Sequence, residues 1–310
     1  MDEFERIKAL FAPLAGEAGL GLKDDAAVLA PPAGRELVLT VDQMLEGVHF
    51  LPGDDPALIA RKLLRRNLSD LAAMGAMPLA YLLTTALPSL LPEEWLIGFA
   101  AGLEADQRQY GITLLGGDSS SSRKDIALTA TFIGHVASGQ ALRRNGAKAG
   151  DGIWVTGTVG DAALGLEARR GRLADDTGFL TRRSLLPDPR VGFSLSGIAN
   201  AAIDVSDGLV QDLGHICRAS GLAALVQASL VPISPEAAAH GPNTLELRLT
   251  GGDDYELLLA VPPEKSDALR AACAGVNVTR IGVFQPGDGV QVLGDDGAAL
   301  NLSAHGWKHF

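Results

Sequence analysis

Apolar and polar positions recur along the chain in patterns that predict its elements. Residues 3–12 have helical spacing. Glu36-Leu37-Val38-Leu39-Thr40-Val41 is a nearly continuous apolar run, the pattern of a mostly buried strand ending at Asp42. Residues 55–74 repeat apolar positions at helical intervals between Asp55-Pro56 and Gly75. A strand over 78–87, a helix from Pro92 to Tyr110 and strands near 112–115 and 126–136 follow. Ser138–Asp151 is poor in large apolar groups and marks a domain boundary. Beyond it the pattern predicts a strand at 152–156, a Gly157–Gly160 tight turn and helices to about Ala199. A short strand enters Asp204, and a helix from Leu209 to Ala219 stops at Gly221. Strands at 223–227, 245–250, 255–261 and 278–284 and a helix at 263–274 complete the series. Ser119–Ser122 reads as a mobile loop. This alternation predicts two α/β (α+β) domains, residues 1–140 and 141–310, with mixed sheets flanked by helices.

Six acidic stretches punctuate these elements, each beside glycine or closing an apolar run. They are Asp24-Asp25-Ala26-Ala27, Thr40-Val41-Asp42, Asn67-Leu68-Ser69-Asp70, Gly116-Gly117-Asp118, Asp204-Val205-Ser206-Asp207-Gly208 and Gly251-Gly252-Asp253-Asp254. Carboxylates are hard oxygen ligands of the kind Mg²⁺ prefers, and Mg²⁺ binds through a few of them plus substrate phosphates. Adjacent glycines let backbone approach those phosphates closely. The spacing therefore points to several metal ions around a polyphosphate.

Composition narrows the class. The 310 residues are 47% hydrophobic, enough for two ordinary domains with a substantial core. The net charge of -11 argues against a nucleic-acid binder and means that an anionic ligand must be bridged by cations. No apolar run is long enough to span a membrane. Cys217 and Cys273 form no motif and read as buried thiols. The acidic start, Met1-Asp2-Glu3, does not look like a secretion signal, so a cytoplasmic protein is expected. There is no GxxxxGK[ST] loop and no HRD or DFG set, so phosphoryl transfer here would rest on aspartates and metal.

The motifs in this order resemble the thiamine-monophosphate kinase family, within the superfamily that includes aminoimidazole ribonucleotide synthetase. The resemblance spans nearly the whole chain. The glycine–aspartate motifs are those of the superfamily, whereas Glu46-Gly47-Val48-His49-Phe50 and Gly306-Trp307-Lys308-His309-Phe310 are specific to the kinase. It implies ATP-dependent, Mg²⁺-assisted phosphorylation of thiamine monophosphate to thiamine diphosphate by a homodimer. By motif position Asp25, Thr40, Val41, Asp42, Asp70, Asp118, Asp204 and Asp207 would hold metal, with Asp42, Asp70 and Asp207 central to catalysis. Tyr110, Gly117, Asp118, Arg144 and Ser206 would bind ATP, and His49, Asp253 and Trp307 the thiamine monophosphate. The first domain would carry the metal and ATP aspartates and the dimer interface, and the second would complete the ATP and substrate sites. Three positions depart from the family pattern. Lys23 stands where glycine is usual, Val41 replaces a frequent threonine and offers only its carbonyl, and Asp253 replaces glutamate. The alternative is another ATP-dependent enzyme or a non-catalytic scaffold of the superfamily.

Overall fold

Two mixed sheets, each flanked by helices, organise the chain. The computed structural model describes residues 3–303 and residue 306. It divides into two units, Met1–Leu71 with Ala76–Gly139, and Ala72–Gly75 with Gln140–Phe310.

The first unit opens with the one-turn helix α1 (Glu3–Arg6) and a series of tight turns to Leu22. Then come β1 (Arg35–Leu45), α2 (Pro56–Ala73), β2 (Met77–Pro88), α3 (Glu93–Tyr110), β3 (Thr113–Ser122) and β4 (Ala127–Ala137). The sheet order is β1-β4-β2-β3, with β4 antiparallel to both of its neighbours and β2 parallel to β3. Leu63, Leu64, Leu68 and Leu71 of α2 and Phe99 and Leu103 of α3 are buried, as their helical spacing requires. Met44, Tyr81, Leu83, Leu128 and Phe132 are buried on the inner face of the sheet. The Tyr81 and Phe132 rings stack there with centroids 5.3 Å apart.

Two expectations fail in this unit. β1 is an edge strand that runs past Asp42 to Leu45, and its alternate positions Leu37, Leu39 and Val41 are exposed. A continuous apolar run signals burial on both faces only when both faces are covered within the chain. Ser119–Ser122 is not a loop either. It continues β3 in register with Thr85–Pro88 of β2, and the Thr85 and Ser119 hydroxyls hydrogen-bond at 2.9 Å.

The second unit contains β5 (Gly152–Thr156), α4 (Asp161–Arg169), α5 (Phe179–Leu185), β6 (Ala201–Asp204), α6 (Leu209–Ser220) and β7 (Ala223–Gln227). It continues with α7 (Pro235–Ala238), α8 (Leu245–Thr250), β8 (Leu257–Val261), α9 (Ser266–Ala272), β9 (Val278–Gln285) and β10 (Gly289–Leu293). The sheet order is β10-β7-β9-β5-β8-β6. Every residue of β5, β6 and β8 is buried, because one apolar cluster covers each face of the sheet. Ile153, Ile203, Leu213 and Leu258 belong to one cluster, and Trp154, Leu195, Leu257 and Leu259 to the other. The run 245–250, expected as a strand, is the helix α8. Leu245 and Leu249 lie one helical turn apart against the same cluster, while Leu247 between them stays 37% exposed. Helices stop at Leu185, before Pro187 and Pro189, well short of Ala199. β10 was not foreseen from the pattern.

Candidate active site

The first unit presents acidic residues on both faces of its sheet. Thr40 and Asp42 alternate along β1 and share cross-strand rows with Phe132 and Ala130 on the inner face. There they meet α2, whose Arg66 and Asp70 are one turn apart. Thr40 Oγ1 donates to Asp70 Oδ2 at 2.5 Å, and Arg66 Nη2 donates to Asp42 Oδ1 at 3.3 Å. Asp118 lies in a row with Thr84, Thr129 and Gln43, hence on the outer face. Asp25 and Asp118 line one cavity of ≈ 660 Å³ on that side, with Gly117, Leu82, Thr131 and Ile133. Gly117 could carry no side chain, because a Cβ would sit 1.7 Å from the Leu83 carbonyl oxygen of the next strand. Val41 faces outward, 59% exposed.

Two other expected residues sit deeper in this unit. His49 Nδ1 accepts from the Leu45 backbone N–H at 3.0 Å, so neutral imidazole carries its proton on Nε2. Lys62 Nζ, buried on α2, donates to the His49 carbonyl at 3.3 Å. Tyr110 closes α3 with its ring beneath the Arg65 guanidinium, 5.5 Å from the centroid. Arg65 is fixed by two hydrogen bonds to the buried Asp106, of 2.7 and 3.1 Å.

In the second unit the acids hold loops. β6 delivers the buried Asp204, and the loop after it bends into α6. The Ser206, Asp207 and Gly208 N–H groups all donate to Asp212 Oδ2 at 3.0 Å. Burial pushes the Asp212 carboxyl up to about 7, against the pull of those three amides. The Gly251–Tyr255 loop interlocks with this one. Asp253 N–H donates to the Ser206 carbonyl and Tyr255 N–H to the Val205 carbonyl, both at 2.9 Å. Asp253 and Tyr255 have φ of 71° and 53°, a conformation L-residues hold only under tertiary constraint. Tyr255 Oη donates to Asp253 Oδ1 at 3.0 Å. Asp254 turns the other way, fully buried, and accepts from the Gly160 and Ala162 N–H groups. The Gly157–Gly160 turn is therefore tied to the protein's own carboxylate, as a tight turn.

On α6, Gln211 Nε2 donates to Asp207 Oδ2 at 2.9 Å. Arg144 lies within electrostatic reach of the same helix. Burial lowers the His215 pKa, and Arg218 and Arg144 lower it further. Ser220 Oγ donates to the Arg144 carbonyl at 3.2 Å. Gly306 packs on the Gln211 side chain, with the position of a Cβ 2.4 Å from Gln211 Cβ. Trp307 lies outside the described residues. Among the described residues, no three His, Cys, Asp or Glu side chains converge as they would around an ion. The donors present, hydroxyl and carboxylate, are nevertheless the all-oxygen set that a hard divalent cation takes.

Comparison with known proteins gives this geometry a family. The model of the AIR synthase related protein N-terminal domain matches residues 23–136, and that of the C-terminal domain matches 148–295. The thiamine-monophosphate kinase of Caulobacter vibrioides is 43% identical over 99% of this chain and 90% of its own length. The chain belongs to the thiamine-monophosphate kinase family. The crystal structure of the Stenotrophomonas maltophilia kinase superposes with a TM-score of 0.82 at 42% identity, covering 90% of this chain and 91% of the other. AaThiL complexed with AMPPCP and TMP superposes with a TM-score of 0.80 at 31% identity, covering 99% and 97%.

For a member of this kinase family the notable additions are acids to which the motifs gave no role. Asp212, Asp161, Asp254 and Glu256 are buried acids of the second unit. Arg190 donates from both Nε and Nη2 to Glu256, at 2.6 and 2.5 Å, and Arg183 Nη2 adds a bond of 3.1 Å. Thr156 Oγ1 donates to Glu256 Oε2 at 2.6 Å. One signal was available for the first unit. Arg66 and Asp70 stand at i and i+4, so a helix over 55–74 puts a cation beside the motif acid. Glu256 closes the Gly251–Glu256 run, but nothing local marks its buried role, because its partners lie 66 or more positions away.

Proposed function

We propose that this protein transfers the γ-phosphoryl group of ATP to thiamine monophosphate, giving thiamine diphosphate and ADP. The observation that carries the reading is the hydrogen bond from Thr40 on β1 to Asp70 on α2, with Asp42 beside Thr40 on the same face of β1 and held by Arg66 of the same helix. It is supported by the likeness to AaThiL, whose solved complex contains AMPPCP and TMP.

Thr40, Asp42 and Asp70, with Asp25 and Asp118 on the outer face and Asp204 and Asp207 in the second unit, would hold Mg²⁺, and the Val41 carbonyl would assist. When bound, the metal would neutralise charge on both phosphates and hold them in line. The acceptor is itself a phosphate monoester with a second pKa of about 6, so it attacks without a general base. Catalysis is then electrostatic and positional. Gly117, Ser206, Tyr110 and Arg144 would contact ATP. His49 would offer its Nε2–H, Asp253 its carboxylate and Trp307 its aromatic face to thiamine monophosphate.

The same reading includes a homodimer built on the outer face of the first sheet. Leu39 and Val41 are 64% and 59% exposed there, beside Leu37 and Met77, an apolar patch of the kind that interfaces cover. Leu39→Asp should convert a dimer into a monomer by sedimentation velocity. A wild-type chain that sediments as a monomer would remove this part of the proposal.

The test of the reaction is formation of ADP and thiamine diphosphate from ATP, Mg²⁺ and thiamine monophosphate, with free thiamine as a parallel acceptor. Product from the monophosphate alone is expected. Absence of product with either acceptor, with ATP still bound, would favour a scaffold or another substrate.

A further inference from the structure

We propose that Asp212 is a positioning residue for phosphoryl transfer, acting as a built-in anion that fills the backbone nest of the Asp204–Gly208 loop. This inference rests on the kinase reading given above. Three consecutive amides, those of Ser206, Asp207 and Gly208, converge on one oxygen, Asp212 Oδ2, each at 3.0 Å. Successive N–H groups turned to one point form a concavity that ordinarily receives a phosphate or another anion. Here the chain supplies its own carboxylate, on the first turn of α6 and only 2% exposed.

The consequence is directional. With the amides turned inward, the Ser206 and Val205 carbonyls are the groups left to receive the Asp253 and Tyr255 N–H donors. The Asp207 carboxylate is held by Gln211, the residue before Asp212 on α6. The path leaves no slack. A Cβ on Gly208 would meet the Thr250 carbonyl oxygen at 2.6 Å, and one on Gly252 would meet the Ser206 carbonyl oxygen at 2.1 Å. Asp212 thus sets the orientation of a metal aspartate and, through two backbone bonds, of the substrate aspartate Asp253, while touching neither ligand. Filling the nest internally also denies these three amides to nucleotide phosphate.

The experiment compares wild type with Asp212→Ala and Asp212→Asn. Three readouts are used: the Mg²⁺ concentration for half-maximal activity, kcat and KM separately, and amide hydrogen exchange at residues 206–208. In Asp212→Ala we expect the half-saturating Mg²⁺ to rise about tenfold, with a comparable rise in the KM for thiamine monophosphate. Amides 206–208 should lose protection. Added formate, a carboxylate small enough for the vacated space, should restore protection and lower the Mg²⁺ requirement. It should do neither for Asp207→Ala. Asp212→Asn keeps one acceptor oxygen and should show a smaller rise, about threefold. If Asp212→Ala does not fold, Asp212→Asn carries the test.

A folded variant with wild-type Mg²⁺ dependence and unchanged protection would overturn the proposal. So would a loss of kcat alone that formate does not reverse, because that is the pattern of a reduced folded fraction. If wild type itself shows no thiamine-monophosphate-dependent turnover, the kinase reading fails. Exchange at 206–208, with and without formate, still decides whether Asp212 holds the loop.

Discussion

Two sets of acidic residues, one in each unit, are held in opposite ways. In the first, Asp42 and Asp70 are held by side chains, one by Arg66 and the other by Thr40, while Asp25 and Asp118 lie exposed on the rim of a cavity. In the second, Asp161, Asp212, Asp254 and Glu256 are buried and occupied by backbone amides, hydroxyls and guanidinium groups. A carboxylate bound to a neighbouring side chain can exchange that partner for a metal ion. A carboxylate buried under two or three amides cannot leave without opening the loop it closes. The same residue type is therefore held exchangeably in one set and locked into the architecture in the other.

The largest effects should separate along that line. Asp42→Asn should lower kcat/KM for thiamine monophosphate by about 10²–10³ at ordinary Mg²⁺. Its urea midpoint should stay close to wild type, since Asp42 is only one half of a partly exposed pair. Near-normal turnover would sink the metal-clamp model. Glu256→Gln should do the reverse. It strips charge from a buried site where Arg183 and Arg190 converge, and such a break costs about 3–5 kcal/mol of unfolding free energy. A loss below about 1 kcal/mol by chemical denaturation would show that the buried network is not a structural keystone.

How much of this was legible follows from the range of the interactions. Helices α2, α3 and α6 were readable because their apolar period and their boundary signals, Gly75, Pro92 and Gly221, are local. α8 was misread because six residues with Leu at alternate positions fit both periods, and only the cluster against Leu245 and Leu249 decides between them. β1 was misjudged because its exposure depends on the outer face of the sheet being uncovered within the chain, which no local pattern records. Motif aspartates stood out because a glycine neighbour or the end of an apolar run marks them. Which face of the sheet each one occupies did not, and Asp118 parts from Asp42 only through strand register. Of the Asp253-Asp254 pair, neither was distinguishable in sequence. The left-handed backbone at Asp253 turns one toward the Ser206 loop and buries the other.

Asp254 gives the next prediction in size, and it concerns pH. Burial raises its carboxyl to about 7, although Arg183 and the Gly160 and Ala162 amides oppose the rise. An unfolded Asp titrates near 3.9, so between about pH 4 and 7 the folded state binds the extra proton. Its contribution to stability therefore declines as pH rises through that window. Asp254→Asn removes the titration, so the variant should lose less stability than wild type between pH 4 and 7. Its absolute stability should be lower by about 1–3 kcal/mol, because an amide NH₂ must face one of those N–H donors. Parallel pH slopes for the two proteins would assign the titration elsewhere.

The smallest effect sharpens the comparison most cleanly. Arg108 pairs with Glu104 one turn earlier on α3, with side chains 74% and 49% exposed. The pair has the favourable order, acid before base, and the cation stands in the last turn of the helix. Yet water screens both charges, and an Arg–carboxylate contact at such a site contributes under about 0.5 kcal/mol. Arg108→Ala should leave the urea midpoint and kcat/KM near wild type. Glu256 and Glu104 each meet an arginine, so their variants differ chiefly in burial and in the number of donors left behind. A cost for Arg108→Ala approaching that of Glu256→Gln would mean that ion pairing itself, rather than the desolvated setting of the second unit, is what stabilises these acids.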